Sequence, residues 1–263
     1  MTTMIEPDRR PLPNPPLALV SAQVDFPQAE RNLPNKEIFR FRDAVNRNFG
    51  GAYGELTQIR KNQVTVQIGA FGPSSASEPA SSLGWRLAVR DQSLSLSVFA
   101  DSISIESRSY KGWEDSFRPR LQDALIAAFE IFAPEIEMRL GLRYINAFSN
   151  SNATSAAYWR GKIRPAFLGP IGDESLADAF QISASRASLS FDEINANVAT
   201  AFQPDAILVG KIAAIFDIDV YRQGARLYTA DSALATADAL NTKALQIFQS
   251  ILSVDYFQEL LQS

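Results

Sequence analysis

Cysteine and histidine are both missing from this 263-residue chain. Without cysteine there is no disulfide, no thiolate nucleophile and no thiolate-held metal. Without histidine there is no imidazole general base, no Ser-His-Asp triad and no Cys/His zinc site built from this chain. Chemistry here would rest on carboxylates, Lys, Arg, Tyr, Ser, Thr or a carboxylate-held metal. The glycine patterns GxGxxG, GxxxxGK[ST] and GxSxG are also missing, so no dinucleotide loop, P-loop or nucleophile elbow is legible. No cofactor is expected. No run approaches the ~20 apolar residues of a membrane span. The first residues carry Glu6, Asp8, Arg9 and Arg10 among prolines, without the apolar core of a signal peptide. A cytoplasmic location away from membranes is the expectation.

Excess positive charge is lacking too. Lys and Arg number 25 against 29 Asp and Glu, for a net charge of -4. That balance argues against a protein held to nucleic acid by bulk charge. The 46% hydrophobic content is ordinary for a soluble globular protein, and the length suits one large domain or two small ones.

What is present is strong periodicity. From Ser93 to Ser149 the chain reads strand, strand, amphipathic helix, strand. Apolar residues recur every second position in the strands. In the helix Phe117, Leu121, Leu125, Ala128, Phe129 and Phe132 recur at three and four, as for a helix laid on a half-buried sheet. The apolar phase changes between Val98 and Ile103, which marks a turn or a bulge near Ala100–Ser102. Pro119 fits either a first helical turn starting at Ser116 or a kink after a turn from Trp113; Pro134 ends the helix.

Before this stretch, residues 1–16 hold five prolines and read as a flexible or extended arm. Leu17–Phe26 reads as a strand burying Ala18, Val20, Ala22, Val24 and Phe26. Asn35 is the candidate N-cap of a helix from Lys36 to Phe49, with Ile38, Phe41, Val45 and Phe49 as its stripe. Residues 63–70 alternate as a strand, residues 72–84 read as a surface loop, and residues 85–99 as a hairpin turning at Asp91–Gln92. Residues 149–157 read as a linker. Beyond it, a short capped helix (173–180), strands at 181–191, 194–202 and 206–221, a long helix (232–252) and a last turn capped by Ser253 are predicted.

The fold class expected is α+β: antiparallel sheet with long amphipathic helices on one face, in two pseudo-repeated halves, 17–148 and 158–263, packed as one unit. Residue identity between the halves is slight, so the repeat rests on element order.

Two constellations are candidates for ligand binding. Arg139 and Arg143 share a strand face, with Gly141 between them leaving room for something flat; two guanidinium groups suit phosphate or carboxylate. Asp217 and Asp219 likewise share a face and suit either a metal with a third ligand or the two arginines. No third carboxylate is identifiable, so neither a metal site nor a catalytic residue is assigned, and cross-strand pairing is the simpler reading. Trp85, Tyr110, Trp113 and Tyr144 could stack on bases but read more simply as core. Trp113, Phe117, Phe129, Tyr144, Asn146 and Phe248 are the expected structural residues.

Several segments, PLPNPPLALVSAQVDF, SYKGWEDSF, RLGLRYIN, FDID and LNTKALQIFQSILSVDYF, together resemble a sporadically distributed, uncharacterised family of prokaryotic and phage proteins. Tyr110-x-x-Trp113 followed by Leu142-Arg143-Tyr144-Ile145-Asn146 carries most of it. Where that pattern usually has a histidine near the last helical turns, Asn241 and Thr242 stand here. The resemblance implies an accessory gene of mobile elements, in the company of phage-defence and toxin–antitoxin loci. It implies no activity.

The leading expectation is a non-catalytic protein-interaction module. The rivals are a phosphate- or nucleotide-ligand sensor or enzyme using Arg139, Arg143, Asp217 and Asp219, and a nucleic-acid-binding subunit using Arg108, Arg118, Arg120, Arg139 and Arg143.

Overall fold

The computed structural model describes residues 6–27, 33–47, 52–61, 64–69, 72–77, 82–175, 179–180 and 182–262. The chain opens with β1 (Leu17–Asp25) and α1 (Asn35–Asn46), then β2 (Tyr53–Lys61), β3 (Val64–Gly69), β4 (Gly72–Ser77), β5 (Ser82–Val89), β6 (Leu94–Val98) and β7 (Ser102–Ser107). A π-turn at Trp113–Phe117 leads into α2 (Arg118–Phe132) and β8 (Ile136–Phe148). The second half holds α3 (Pro165–Leu168), β9 (Ser183–Phe191), β10 (Ile194–Pro204), β11 (Ile212–Leu227), α4 (Ala230–Ile251) and α5 (Val254–Gln262).

Nine strands form one antiparallel sheet in the order β2-β5-β6-β7-β1-β8-β11-β10-β9. β3 and β4 make a separate hairpin. The two meanders, β5-β6-β7 and β11-β10-β9, flank the central pair β1–β8 in mirrored order, and each is followed by a long helix. The expected halves are thus joined in a single sheet. The fold is α+β, with α2 and α4 packed on the sheet and α1 against α2.

One strand phase faces the helices and is buried: Val20, Ala22 and Val24 on β1, Leu140, Leu142 and Tyr144 on β8, Phe216, Ile218 and Val220 on β11. α4 meets it with Leu234, Ala237, Leu240, Ala244, Phe248 and Ile251, the predicted stripe. The other phase is uncovered. On β1 it is Ser21, Gln23 and Asp25; on β8 Arg139, Arg143, Ile145 and Ala147; on β11 Asp217, Asp219 and Tyr221; on β10 Asn195, Asn197 and Ala199. All of these are at least partly exposed.

Several expectations are corrected. Phe129 is 48% exposed rather than core. Leu121, Ala124, Leu125, Ala128 and Phe132 centre the buried face of α2, and Phe129 lies at its margin beside the Tyr228 ring. Residues 72–77, read as loop, are a strand, because pairing with β3 needs backbone groups rather than apolar side chains. β11 starts six residues later than predicted. Asp205 accepts from the Ile207 and Leu208 amides and turns the chain there, leaving Ile207 and Val209 82% and 96% exposed. Pro34, not Asn35, stands at the N-cap of α1. Asp173 opens a turn at Glu174–Ser175, and residues 176–178 of the predicted helix lie outside the described residues, as do Phe49 and Gly50–Gly51.

The arm is docked where it is described. Asp8 N–H donates to Gln249 Oε1, Gln249 Nε2 donates to the Asp8 carbonyl, and Arg9 donates to Thr242. Within the predicted linker Ala153 and Ala156 are buried, and the fully buried Trp159 that follows donates its indole N–H to the Ile212 carbonyl.

Candidate functional site

The four charged candidates meet on the uncovered face, because β8 and β11 are neighbours. Register sets Arg143 opposite Asp219 and Arg139 opposite Gln223. The bonds run diagonally instead. Arg143 donates through Nε and Nη2 to the two oxygens of Asp217, at 2.7 and 2.6 Å. Arg139 donates through Nη2 to both oxygens of Asp219, at 3.1 and 3.0 Å. The Asp217 carboxylate holds the Arg143 pKa above its ordinary value, against the opposing effect of burial.

Gly141 explains the longer reach. The Arg139 guanidinium lies over it, and a Cβ there would stand 2.7 Å from Nη1. The same guanidinium sits 4.7 Å from the centre of the Tyr221 ring. The flat group for which Gly141 leaves room is thus a side chain of this protein. The arrangement ties two strands together by bidentate pairing.

Sequence reasoning missed a second polar node, between the helices. Asp238 on α4 accepts from Trp113 Nε1 at 2.8 Å and from Arg118 Nε and Nη2 at 2.8 and 2.9 Å. Partial burial pushes the Asp238 carboxyl up, but the Arg118 and Trp113 hydrogen bonds and the Arg118 charge together hold it below its ordinary value. Beside it the buried Tyr144 hydroxyl donates to Asn241 Oδ1 at 2.8 Å. Burial raises the Tyr144 pKa well above its ordinary value. Gly112, at φ +140°, makes the turn that brings Trp113 in, a conformation that favours glycine. The signal was present in Gly112-Trp113, but its partner lies 125 residues away.

A third pair is buried at the start of β8. Arg222 Nη2 donates to Glu137 Oε1 at 2.9 Å, and the Glu137 side chain is 4% exposed. Glu137 Oε2 has no hydrogen-bond partner among the described residues.

Of the aromatic candidates two are core, and Trp85 and Tyr110 are partly buried against it. Trp113 and Tyr144 are buried, and Tyr110 meets Tyr144 edge-on at 6.3 Å. The five arginines of the nucleic-acid reading do not share a surface: Arg118 is bound on the helix side, Arg139 and Arg143 on the opposite face. Among the described residues no three carboxylates converge as for a metal, and no helix is long and apolar enough to cross a membrane.

No protein-family model matches the chain, and no curated protein matches it. Among solved structures, the S. pombe Pct1 RNA triphosphatase in complex with the Spt5 CTD aligns over 92% of this chain and 85% of its own, at 11% identity and a TM-score of 0.14. The same enzyme alone aligns over 94% and 85%, at 10% identity and a TM-score of 0.13. Likeness at that level carries no argument about fold or function.

Proposed function

We propose that this chain is a non-catalytic interaction module that receives a folded protein on the uncovered face of its sheet. The observation that supports this most is the one-sidedness of the sheet: α1, α2 and α4 lie on one side, and the other presents Ser, Asn, Gln and Arg–Asp pairs beside Ile145, Ala147 and Tyr221. The charges there are of both signs, and Arg139, Arg143, Asp217 and Asp219 are already paired. A phosphate ligand would have to displace a carboxylate from each guanidinium, whereas a protein surface meets such a mixed polar face without that cost.

The test is co-purification of the native complex, identification of its protein and nucleic acid, and rebinding of the purified partner. Ser104→Arg and Asn197→Arg, both on the uncovered face, should leave the melting temperature near that of the wild type and abolish rebinding. A phosphate-bearing ligand or nucleic acid bound through Arg143, and lost in Arg143→Ala, would overturn the reading.

A further inference from the structure

The two edges of the sheet are built differently. β2 carries Glu55, Arg60 and Lys61 and shifts register against β5 between Tyr53 and Leu56. Charge and a bulge are the devices by which sheets keep an edge from pairing. β9, at the opposite edge, has no bulge and a single charge. Its nine residues pair with β10 without a register shift, it has no proline, and Arg186 is its one charged residue. Arg186, Ala187 and Ser188 are exposed in succession, so both faces are bare at the middle of the strand, while toward its ends Ser183 is buried and Lys243 of α4 lies over the Phe191 ring.

The direction of the free backbone groups follows from the turn. Asp192–Glu193 is a two-residue connection that sets Phe191 opposite Ile194 as a hydrogen-bonded pair. Bonding then alternates back along β9. The N–H and C=O groups of Ala184, Arg186, Ser188 and Ser190 therefore point away from β10. Among the described residues no backbone bond outside the sheet reaches them.

We propose that β9 pairs antiparallel with β9 of a second copy, across a twofold axis at Ala187. The strand is self-complementary about that point. Arg186 then faces Ser188 and Ala184 faces Ser190, and in each pair both residues offer outward backbone groups, so the ladder closes. Centring on Arg186 would set two guanidinium groups opposite each other, which is unfavourable. The one charge on β9, Arg186, then lies opposite Ser188 and away from the Arg186 of the second copy. On the helix side, bare Ala187 and the half-buried Leu189 and Phe191 gain the matching row of the second copy. The twofold stands normal to the sheet, so both uncovered faces lie on the same side of one continuous sheet, an isologous interface. This assembly stands independently of whether that face binds a protein.

The absence of cysteine makes the test clean. At the axis the two Ala187 residues form a non-hydrogen-bonded pair, with Cα atoms about 4.5 Å apart and within disulfide reach. Ala187→Cys should oxidise to a covalent dimer, while Thr57→Cys on β2 should form no covalent dimer. By sedimentation equilibrium the wild type should dimerise as concentration rises into the high micromolar range. Ser188→Pro removes an outward N–H that β10 does not use, and should be monomeric with an unchanged far-ultraviolet spectrum. A wild type monomeric throughout, a dimeric Ser188→Pro, or cross-linking of Ala187→Cys no faster than Thr57→Cys would each overturn the proposal.

Discussion

Replacing Asp238 should loosen the joint between the two long helices. Its carboxylate accepts three hydrogen bonds, two from Arg118 and one from the Trp113 indole. The Arg118 side chain is 29% exposed and that of Asp238 36%, so the ion pair is solvent-screened and is worth about 0.5–1 kcal/mol. Trp113 is buried, and its N–H stranded without an acceptor costs roughly 1–3 kcal/mol. Asp238→Ala should therefore lose about 2–3 kcal/mol. Asp238→Asn keeps one acceptor and should lose roughly half of that. Urea unfolding reads the change as a lower midpoint with an unaltered slope. The pH dependence carries the sign. The folded pKa of Asp238 is depressed, so its stabilisation is complete above the unfolded carboxylate value of about 3.9 and is lost as pH falls through the folded value. That loss should vanish from the profile of Asp238→Asn. Additive effects of Asp238→Ala and Arg118→Ala, or a change under about 0.5 kcal/mol for Asp238→Ala, would refute the coupling.

Three further outcomes are expected. Phe129→Ala should cost about 1 kcal/mol in urea unfolding, not the ~3–5 kcal/mol of a buried phenylalanine, because the ring is half exposed. Arg222→Met should cost about 3 kcal/mol by leaving Glu137 charged and buried, and Glu137→Leu added to it should recover most of the loss, as measured by thermal melts at neutral pH. Arg143→Ala should cost only about 0.5–1 kcal/mol, with a cycle against Asp217→Ala returning the coupling, because the arginine is half exposed.

Much of the fold was legible because its strands and helices bury one face each. Val20, Ala22 and Val24 are in phase along β1, and Leu234, Ala237, Leu240 and Ala244 along α4; both phases are the buried ones. The change of phase between Val98 and Ile103 is a real turn, where the Phe99 amide meets the Ser102 carbonyl. Elements held by backbone pairing alone escaped. β4, with sequence GPSSAS, carries no apolar signal, and β2 alternates too weakly to stand out. The β10–β11 turn misled in the opposite direction: Ala206-Ile207-Leu208-Val209 is as apolar as a strand, yet Asp205 turns it outward. The Asp238 node was out of reach for a different reason. Its members lie on two helices far apart in sequence, and no local pattern joins Trp113 to a residue on α4.

The Arg–Asp pairs mark where pattern gives out and geometry begins. Spacing places Arg139 and Arg143 on one face and Asp217 and Asp219 on another, but spacing cannot choose the partners. Direct opposition would join Arg143 to Asp219. The diagonal choice follows from Gly141. With no side chain there, Arg139 lies along the strand, covers the gap, stacks on Tyr221 and takes Asp219, leaving Asp217 for Arg143. On the helix side, α4 packs across β8 and β11 and holds their apolar residues. Among the described residues no helix does so on the other side. The two bidentate bridges tie the same strands there, each crossing from one to the other. A sheet with one uncovered face thereby gains cross-strand rigidity from ion pairs rather than from a second layer of apolar packing.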